Sequence, residues 1–491
     1  MEGIMSTFSE LLSNFVAEKK ADIAQMVKYC GFDRSTMYKI LKGKRNPPPL
    51  DIVYNIGQFL RLTQPELQQL TETWQLTILG PLKYFRRKSV EHFLRFFPDD
   101  FSSINEDELL RSAVPADHTQ ISDAPACQGL DSQMEINSYL RQIIFKEAEK
   151  EQGSILMVVQ PEYDYLFQTL GSLTPENPIT VDHIFCLSNT EALTSDHQLL
   201  HIRYLETLFP LFTRKNIGYT PLYYYGDIHS RFSVYNLIPY MILTSDHALL
   251  FTSDYQSGIF FSDPGIMKYL HEHFAYLKEK CTPLFRILTA DLRDFDQAKG
   301  FSNLINGESP AFIIQAEGVL LPFLKKNTIL SLIDRSIPGR EKLADAYELM
   351  LTHSRQLLSN PVWIHQYFTR NGMLHFVRTG RFRELPSDEC HPVSTEDRIA
   401  LLKEFQKYCK TGVFRMLRFP LEQLSGNLRL AISGKIGYFV LCVEGKPLIY
   451  MLFNEPYLVE IFRDYMESLA EFYCYSIEDT VETIQEMIDS L

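Results

Sequence analysis

Side chains suited to contact with nucleic acid are concentrated in one short stretch near the start of the chain. One face of a helix here would carry four hydrogen-bonding side chains: Arg34, Ser35, Tyr38 and Lys39. Long donors and hydroxyls in the first turns of a helix can reach base edges in the major groove of DNA. Three cations follow around Gly43: Lys42, Lys44 and Arg45. Because such cations bind phosphate oxygens, the stretch predicts base contacts by the first group and phosphate contacts by the second.

The elements that must position these side chains are two short helices and a tight turn. Asp22 is a typical N-cap for the first helix, and the apolar residues after it have helical spacing. Gly31 ends that helix, because glycine readily adopts the left-handed conformation that a sharp turn requires. Asp33 or Ser35 can cap the second helix of this pair, which is the third helix of the chain, and Met37 and its apolar neighbours face inward in it.

Further helices complete an all-α head over residues 1–80. Apolar residues at helical spacing predict a helix from Phe8 to Val16 and another from Leu50 to Leu60. Thr63-Gln64-Pro65-Glu66 has the pattern of a capping box with proline near the helix start. We therefore expect a last helix of the head that runs through Trp74.

The head resembles the lambda-repressor-like, Cro/CI-type (Xre) helix-turn-helix family. The matching features are the turn Gly31, the buried Met37 and Leu41, the Lys-Gly-Lys-Arg run at 42–45, and the helix Leu50–Leu60 with the segment Thr63–Leu67 after it. The resemblance implies that the third helix of the head reads bases of double-stranded DNA through Arg34, Ser35, Tyr38 and Lys39. Because the basic charge is confined to the head, one copy should bind DNA modestly, and we expect a homodimer. A generic helical bundle, or a helix-turn-helix used only for protein contacts, is the alternative.

Charge is distributed unevenly along the chain, whose formal net charge is −13. Residues 1–90 hold 13 Lys and Arg against 8 Asp and Glu, whereas the remaining residues hold 35 against 53. A small basic head on a large acidic body favours phosphate contact by the head alone. A surface imbalance without a role in binding is the alternative.

Cysteine spacing and hydropathy exclude several classes of protein. The 8 cysteines are scattered, without a C-x-x-C pair or the spacing of metal ligands, which predicts reduced thiols. No stretch approaches the roughly 18 uncharged apolar residues that a membrane helix needs, and the first residues lack the apolar run of a signal peptide. We therefore predict a cytoplasmic protein without a metal, a cofactor or a membrane contact.

The composition changes after the head in a way that predicts several domains. Residues 81–135 contain a basic cluster from Lys83 to Lys88 and then a polar, proline-containing stretch from Pro98, so we interpret them as a basic helix and a linker. Beyond them, apolar runs of strand length alternate with helical segments. This pattern predicts an α/β or α+β body with halves at 136–300 and 301–475, and an amphipathic C-terminal helix over 476–491.

Two pairs of similar segments favour an internal duplication of the body, with chance convergence as the alternative. Phe-Thr-Arg occurs at 212–214 and at 368–370, and Ser262–Glu272 resembles Asn454–Asp464. Strand-like runs precede each acidic-Pro pair of the longer segments. They are Tyr240–Thr244, Ala248–Thr252 and a shorter run at Gly258–Phe261 before the first, and Ile436–Val443 and Pro447–Phe453 before the second. A cleft between duplicated halves would suit a small-molecule or peptide ligand. Arg214 and Arg370 are then candidate anion binders, or else ordinary surface arginines.

Signs of catalysis are weak. His229-Ser230-Arg231 and His353-Ser354-Arg355 resemble the two His-x-Lys sites of phospholipase D-like duplicated folds, but lysine is absent from both. We therefore predict no catalytic residues and a sequence-specific transcriptional regulator, in which a ligand of the body shifts the DNA-competent population. The alternatives are an enzyme or defence-type effector with a degenerate phosphodiesterase- or nuclease-like body and a targeting helix-turn-helix, and an interaction scaffold.

Overall fold

The computed structural model of the 491-residue chain describes residues 8–95, 97, 121, 125–189, 193–194, 196–228, 236–289, 311–359, 364–385, 390–442 and 448–491. They form two compact units, one made of Met1–Ser89 with Leu193–Leu199 and the other of Val90–Ala192 with Leu200–Leu491. Most of the predicted linker that starts at Pro98, and the predicted boundary at residue 300, lie outside the described residues. None of the described helices combines the length and hydropathy needed to cross a membrane.

The N-terminal unit is helical, as the periodicity predicts. Its helices are α1 (Phe8–Glu18), α2 (Ile23–Tyr29), α3 (Arg34–Leu41), α4 (Leu50–Phe59) and α5 (Gln64–Leu79), and α6 (Pro81–Arg95) follows. Thr63 and Glu66 form the predicted capping box of α5. The Trp74 indole N–H donates to the buried carbonyl of Pro48 at 2.7 Å, which fixes the proline run against α5. Helix α3 packs on α1 and α2, and α2 packs on α4, which completes the helical core of the unit.

The second unit contains two mixed β-sheets with helices between the strands. The strands of the first sheet are β1 (Cys127–Leu130), β2 (Gly153–Val158), β3 (Ile179–Leu187), β4 (Ile217–Tyr225), β5 (Tyr240–Leu243), β6 (Ala248–Phe251), β7 (Gly258–Phe261) and β8 (Thr282–Pro283). The strands of the second sheet are β9 (Arg286–Thr289), β10 (Ala311–Gln315), β11 (Ile364–Thr369), β12 (Phe414–Leu417), β13 (Leu428–Ser433), β14 (Ile436–Leu441) and β15 (Ile449–Phe453).

The helices of the second unit lie between and after these strands. They are α7 (Gln133–Ala148), α8 (Asp164–Gly171), α9 (Leu200–Phe212), α10 (Pro264–Lys278), α11 (Lys326–Leu332), α12 (Arg340–Ser359), α13 (Arg370–Thr379), α14 (Thr395–Thr411), α15 (Pro456–Phe472) and α16 (Ile477–Asp489). The amphipathic α16 packs on α14 of the same unit, where Ile484 and Met487 join the buried core. The alternation of strands and helices agrees with the predicted α/β body.

The two sheets have the same strand order. The first runs β4-β3-β2-β5-β6-β7-β1, with β8 added beside β4, and the second runs β12-β11-β10-β13-β14-β15-β9. In each, three parallel strands are followed by three antiparallel ones, and the last strand of the order pairs antiparallel with its neighbour. Each strand of the second sheet therefore has a topological counterpart in the first.

One of the two predicted sequence repeats fits this correspondence. Helices α10 and α15 both follow the third antiparallel strand of their sheet, and Asp263 and Glu455 are their N-caps, each accepting two backbone N–H groups. Three strands precede each helix, because β5, β6 and β7 correspond to β13, β14 and β15, so the strand without a predicted run in the second copy is β13. The predicted run Ile436–Val443 contains β14, the counterpart of β6.

The other repeat does not fit. The Phe-Thr-Arg segment at 212–214 lies where α9 ends and β4 begins, whereas the segment at 368–370 lies where β11 ends and α13 begins. The two segments are similar in sequence only. β1 lies before residue 136, and β9, which precedes residue 301, pairs with β15 of the second sheet.

An aromatic cluster joins the two halves of this unit. Phe209 of α9 lies 4.9 Å from Phe439 of β14, measured between ring centroids, and edge on to it. Phe285, just before β9, contacts Phe209 as well as Phe439. Such edge-to-face contacts stabilise a buried aromatic core beyond the area they cover. The two halves of this unit are therefore joined by a shared aromatic cluster.

Candidate nucleic-acid interface and buried carboxylates

Helix α3 presents the predicted base-contacting residues to solvent. Its inward residues Met37 and Ile40 are 0% and 1% exposed, so the rotation of the helix is fixed by packing. The outward residues are all exposed: Arg34, Ser35, Tyr38 and Lys39. The guanidinium carbon of Arg34 lies 5.8 Å from the centroid of the Tyr38 ring, a cation–π distance. The face therefore offers donors and an aromatic hydroxyl together.

The start of α3 is fixed by its cap. Asp33, and not Ser35, is the N-cap, and its carboxylate accepts the backbone N–H of Thr36 at 2.8 Å. Hydrogen bonds from Thr36 hold the pKa of Asp33 below its usual value. Gly31, with φ of +65°, makes the turn that brings α3 across α2. Arg34 and Ser35 consequently lie in the first turn of the helix, where the sequence predicts base contacts.

The predicted phosphate-contacting residues lie in the loop that follows α3. Lys42, Lys44 and Arg45 are all exposed, and Gly43 has φ of +65°, as a chain reversal requires. Arg45 donates to the hydroxyl of Thr36 at 2.9 Å, which ties the loop back to the start of α3. The structure thus brings the two predicted groups onto one surface of the N-terminal unit.

The predicted anion binders of the body are not brought together. Arg214 is half-buried at the amino end of β4, whereas Arg370 is exposed at the carboxyl end of β11, where α13 begins. They do not occupy equivalent positions, because the sequence similarity between their segments does not follow the strand correspondence. A role in ligand binding stays a prediction for each of them.

The two His-x-Arg segments do not form a symmetric pair. His229 to Arg231 lie outside the described residues, in the interval between β4 and β5. His353 lies on α12, between β10 and β11, whereas the counterpart of the β4–β5 interval is that between β12 and β13. Arg355 is a packing residue, since it donates to the carbonyls of Pro322 and Leu324 at 2.8 and 2.7 Å.

A different repeat, missed in the sequence, lies at the ends of two corresponding strands. Residues 158–162 read Val-Val-Gln-Pro-Glu and begin at the last residue of β2, and residues 313–317 read Ile-Ile-Gln-Ala-Glu at the end of β10. The neighbouring strands support this alignment: His183 pairs with Met157 and His365 pairs with Phe312, each three residues before the glutamine. A comparison of short apolar runs ending in Gln-x-Glu was the signal that could have found it.

In the first half, the glutamine is fully bonded and the glutamate is not. Gln160 is 2% exposed, donates to the carbonyl of Cys186 and to the Tyr204 hydroxyl, and accepts the Cys186 N–H at 2.8 Å. One carboxylate oxygen of Glu162, Oε1, accepts the Tyr204 hydroxyl at 2.6 Å. Its other oxygen, Oε2, is buried without a hydrogen-bond partner among the described residues. Burial raises the pKa of Glu162.

In the second half, the glutamate is paired and the amide oxygen of the glutamine is not. Glu317 forms an ion pair with Arg383, whose Nε lies 3.0 Å from Oε1 of the carboxylate. Gly426 leaves room for that guanidinium, because a Cβ at this glycine would lie 2.3 Å from the Arg383 Cζ atom. Burial still raises the pKa of Glu317 to about 7, although Arg383 acts in the opposite direction. Gln315 is 6% exposed, and its amide oxygen lacks a partner among the described residues.

No arrangement of metal ligands is present in the described part of the chain. Two histidines, His183 and His375, are of a residue type that binds metals, but both lie against other protein side chains. His183 is fully buried, lies 2.7 Å from the Tyr219 hydroxyl, and has its pKa lowered to about 4 by burial. His375 lies 3.9 Å from Glu317 and has its pKa lowered by burial and by Arg383. In both, burial is the largest cause of the lowered pKa.

Comparisons with known proteins do not identify a family. No protein-family model matches the chain, and no curated protein matches it. Several solved structures align with the chain, among them three at low scores. TrmBL2, an archaeal chromatin protein whose structure shows a novel mode of DNA binding, has a TM-score of 0.22 and 10% identity over 54% of this chain and 100% of its own.

The other two structures are enzymes. Phosphatidylserine synthase from Haemophilus influenzae Rd KW20 has a TM-score of 0.22 and 8% identity, over 74% of this chain and 92% of its own. Polyphosphate kinase from Porphyromonas gingivalis has a TM-score of 0.21 and 8% identity, over 79% and 63%. Scores at this level do not establish a shared fold.

Proposed function

We propose that the protein is a sequence-specific regulator of transcription that binds double-stranded DNA through α3 and the loop after it. The observation that supports this proposal is the outward set of α3, Arg34, Ser35, Tyr38 and Lys39, held by two buried residues on the opposite face. A helix with this exposed face can lie in the major groove, with the loop cations on the flanking phosphates. The α2–turn–α3 pair is then a helix-turn-helix of the Cro/CI type.

The proposal extends to the assembly and to the body. One head carries few cations, so a homodimer that engages two half-sites would supply the affinity and specificity that one copy lacks. The matching strand orders of the two sheets support an internal duplication of the body. We assign the duplicated body the role of sensor and oligomerisation region, which shifts the DNA-competent population when it binds a ligand.

The test is selection of duplex DNA by the full-length chain, followed by fluorescence anisotropy on the selected sequence. Replacing Arg34 or Lys39 with Ala should weaken binding by about 10- to 100-fold and relax specificity at one base position. Replacing both Lys44 and Arg45 with Ala should weaken binding to all sequences and lower the salt slope by roughly 2.

A matched control is Lys268→Ala, which removes an exposed lysine from α10 in the body. It should leave both the affinity and the salt slope unchanged. A folded full-length chain that binds no duplex in a salt-dependent manner would contradict the proposal. Symmetry of the selected site would report the dimer separately, because a two-fold protein selects an inverted repeat.

A further inference from the structure

Helices α10 and α15 correspond in the duplicated body, but their outer faces have different surroundings. Each helix has a proline directly after its acidic N-cap, so Pro264 aligns with Pro456 and the two helices align residue by residue. The inward residues agree in this alignment, because all are buried: Met267, Leu270 and Phe274 in α10, and Val459, Phe462 and Met466 in α15. The alignment therefore also identifies equivalent positions on the two outer faces.

The outer face of α10 carries a row of three exposed aromatic rings. Tyr269 and Tyr276 are 65% and 53% exposed, and His273 between them is exposed as well. The His273 ring stacks beside Tyr269 and beside Tyr276, with centroids 6.1 and 6.4 Å apart. Lys280 extends the row with a cation, since its Nζ atom lies 3.9 Å from the centroid of the Tyr276 ring. The rings share one face because residues three and four positions apart are neighbours on a helix.

The corresponding face of α15 is buried. Its residues at the positions of the three rings are 0%, 0% and 5% exposed: Ile461, Tyr465 and Ser468. The part of α6 that belongs to this unit lies against α15, since Phe93 is 6.1 Å from Phe462 between ring centroids. The duplicated fold therefore accommodates packed neighbours around this helix in the second half. In the first half, the described residues leave the equivalent face open to solvent.

The charges on the outer face of α10 favour a second copy of the chain over nucleic acid. Glu272 and Lys280 bring one charge of each sign to the row of rings, so this face has no excess of positive charge. A single strand of nucleic acid needs a cationic groove beside the rings on which its bases stack. A two-fold dimer needs a face that is complementary to itself, which aromatic rings with charges of both signs can provide.

We propose that the outer face of α10, composed of Tyr269, Glu272, His273 and Tyr276, is a dimer interface on which α10 of a second copy packs antiparallel. The two-fold axis passes between Glu272 and His273. Tyr269 then faces the partner subunit's Tyr276, and Glu272 accepts an N–H from the partner subunit's His273. Lys268 lies outside this face, because it projects about 100° away from Tyr269 around the helix axis.

The dimer is a weak one. Helix α10 has 15 residues and is therefore about 22 Å long, so an interface built on it is at the small end of the range for specific complexes. The inference rests on the proposed function for the expectation that the regulator is a homodimer, and it names the surface that joins the two copies.

The test is sedimentation velocity of the full-length chain, without DNA, at concentrations from about 0.5 to 50 µM. We expect an equilibrium between monomer and dimer. Replacing Tyr269 and Tyr276 together with Ala should weaken dimerisation by at least about tenfold, because aromatic residues carry much of the affinity of an interface. The matched control is Met134→Ala, which truncates a side chain of α7 that is 55% exposed in the same half and should leave dimerisation unchanged.

A charge exchange tests the two-fold pairing itself. Glu272→Lys and His273→Glu should each weaken self-association by at least about tenfold, because the first removes the acceptor of the His273 N–H and the second places two carboxylates opposite each other. A mixture of the two variants should form a heterodimer of near-native affinity, since one contact then joins opposite charges and the other is the native pair. Native mass spectrometry detects the heterodimer when one variant carries a heavy nitrogen isotope.

Circular dichroism would establish that each variant is folded. Three results would overturn the proposal: a monomer at every concentration, a dimer that none of these substitutions weakens, or no heterodimer in the mixture. Because the measurement contains no DNA, its failure is distinct from failure of the proposed function. A monomeric chain that binds a duplex overturns this interface alone, and a dimer through α10 that binds no duplex overturns DNA binding alone.

Discussion

The two halves of the body place a glutamine and a glutamate at corresponding strand ends but complete their hydrogen bonds differently. In the first half, Gln160 bonds to the backbone of Cys186 and to Tyr204, and Glu162 keeps one oxygen open. In the second half, Glu317 forms an ion pair with Arg383, and the amide oxygen of Gln315 lacks a partner among the described residues. In each half, therefore, one residue of the glutamine–glutamate pair is held by its hydrogen bonds or ion pair. The other keeps a side-chain oxygen without a partner among the described residues.

The difference shows which part of a duplicated fold is free to diverge. Strand order depends on apolar residues facing a common core, and both sheets keep it. The carboxyl ends of parallel strands lie at the edge of that core, where substitutions in loops change the partners without disturbing the strands. Tyr204 comes from α9 in the first half, whereas Arg383 comes from the loop after α13 in the second.

The largest expected effect tests whether the two glutamines differ as the structure indicates. Gln160→Leu removes hydrogen bonds to Cys186 and Tyr204, so the free energy of unfolding of the body should fall by about 3 kcal/mol, roughly one for each of three bonds. Urea unfolding followed by circular dichroism measures it. Gln315→Leu is the matched variant and should change stability by less than about 1 kcal/mol, because its amide oxygen has no donor to lose. Equal losses in the two variants would show that the glutamines are equivalent.

The second prediction concerns the pH dependence that Glu317 contributes. Its pKa is about 7 in the folded chain against 4.5 for the free group, so the folded state binds the proton more tightly. The contribution to stability is therefore fully present below pH 4.5 and is lost as the pH rises through 7. Between pH 5 and pH 7 this one group should lower the free energy of unfolding by about 2 kcal/mol.

Glu317→Gln should remove that component, so the difference between variant and native chain is the quantity to measure, by urea unfolding at each pH. The lowered pKa of His375 contributes in the opposite sense, since it stabilises the fold as the pH rises, so the native chain alone does not isolate the contribution of Glu317. A native-minus-variant difference that is flat from pH 5 to pH 7 would contradict a buried, proton-binding Glu317.

The smallest effect concerns the partner of Glu317. Arg383→Met should destabilise the body by about 1 kcal/mol at pH 8, since Glu317 is then ionised and loses its cation, and the 38% exposure of the Arg383 side chain lets solvent screen the loss. At pH 5 the effect should nearly vanish, because Glu317 is protonated in both proteins. Thermal unfolding at the two pH values measures it. An equal loss at both pH values would mean that Arg383 acts through packing and not through charge.

Local signals explain why the head was largely predictable. Asp22, Gly31 and Asp33 each act on backbone groups within a few residues, and the structure confirms all three as caps or turn. The choice between Asp33 and Ser35 as N-cap needed the structure, because both residue types accept a backbone N–H. The outward face of α3 also followed from spacing, since helix rotation is set by the apolar residues of the same helix.

The body shows the limit of such signals. The Phe-Thr-Arg repeat was misleading because three matching residues carry no information on which strands pair, whereas the acidic-Pro repeat succeeded because it marks a helix start that is read locally. Sheet order, and with it the correspondence between β2 and β10, depends on residues far apart in the chain.

The sequence by itself determined the helices of the head, the exposed face of α3 with its cations, and the alternation of strands and helices in the body. Each depends on periodicity or on contacts within one turn of the chain. Only the tertiary structure decided that Glu162 and Glu317 are counterparts, that Arg383 pairs with one of them, and that Tyr204 of α9 donates to the other. Burial and partners of this kind arise when distant segments pack together, and no local pattern encodes them.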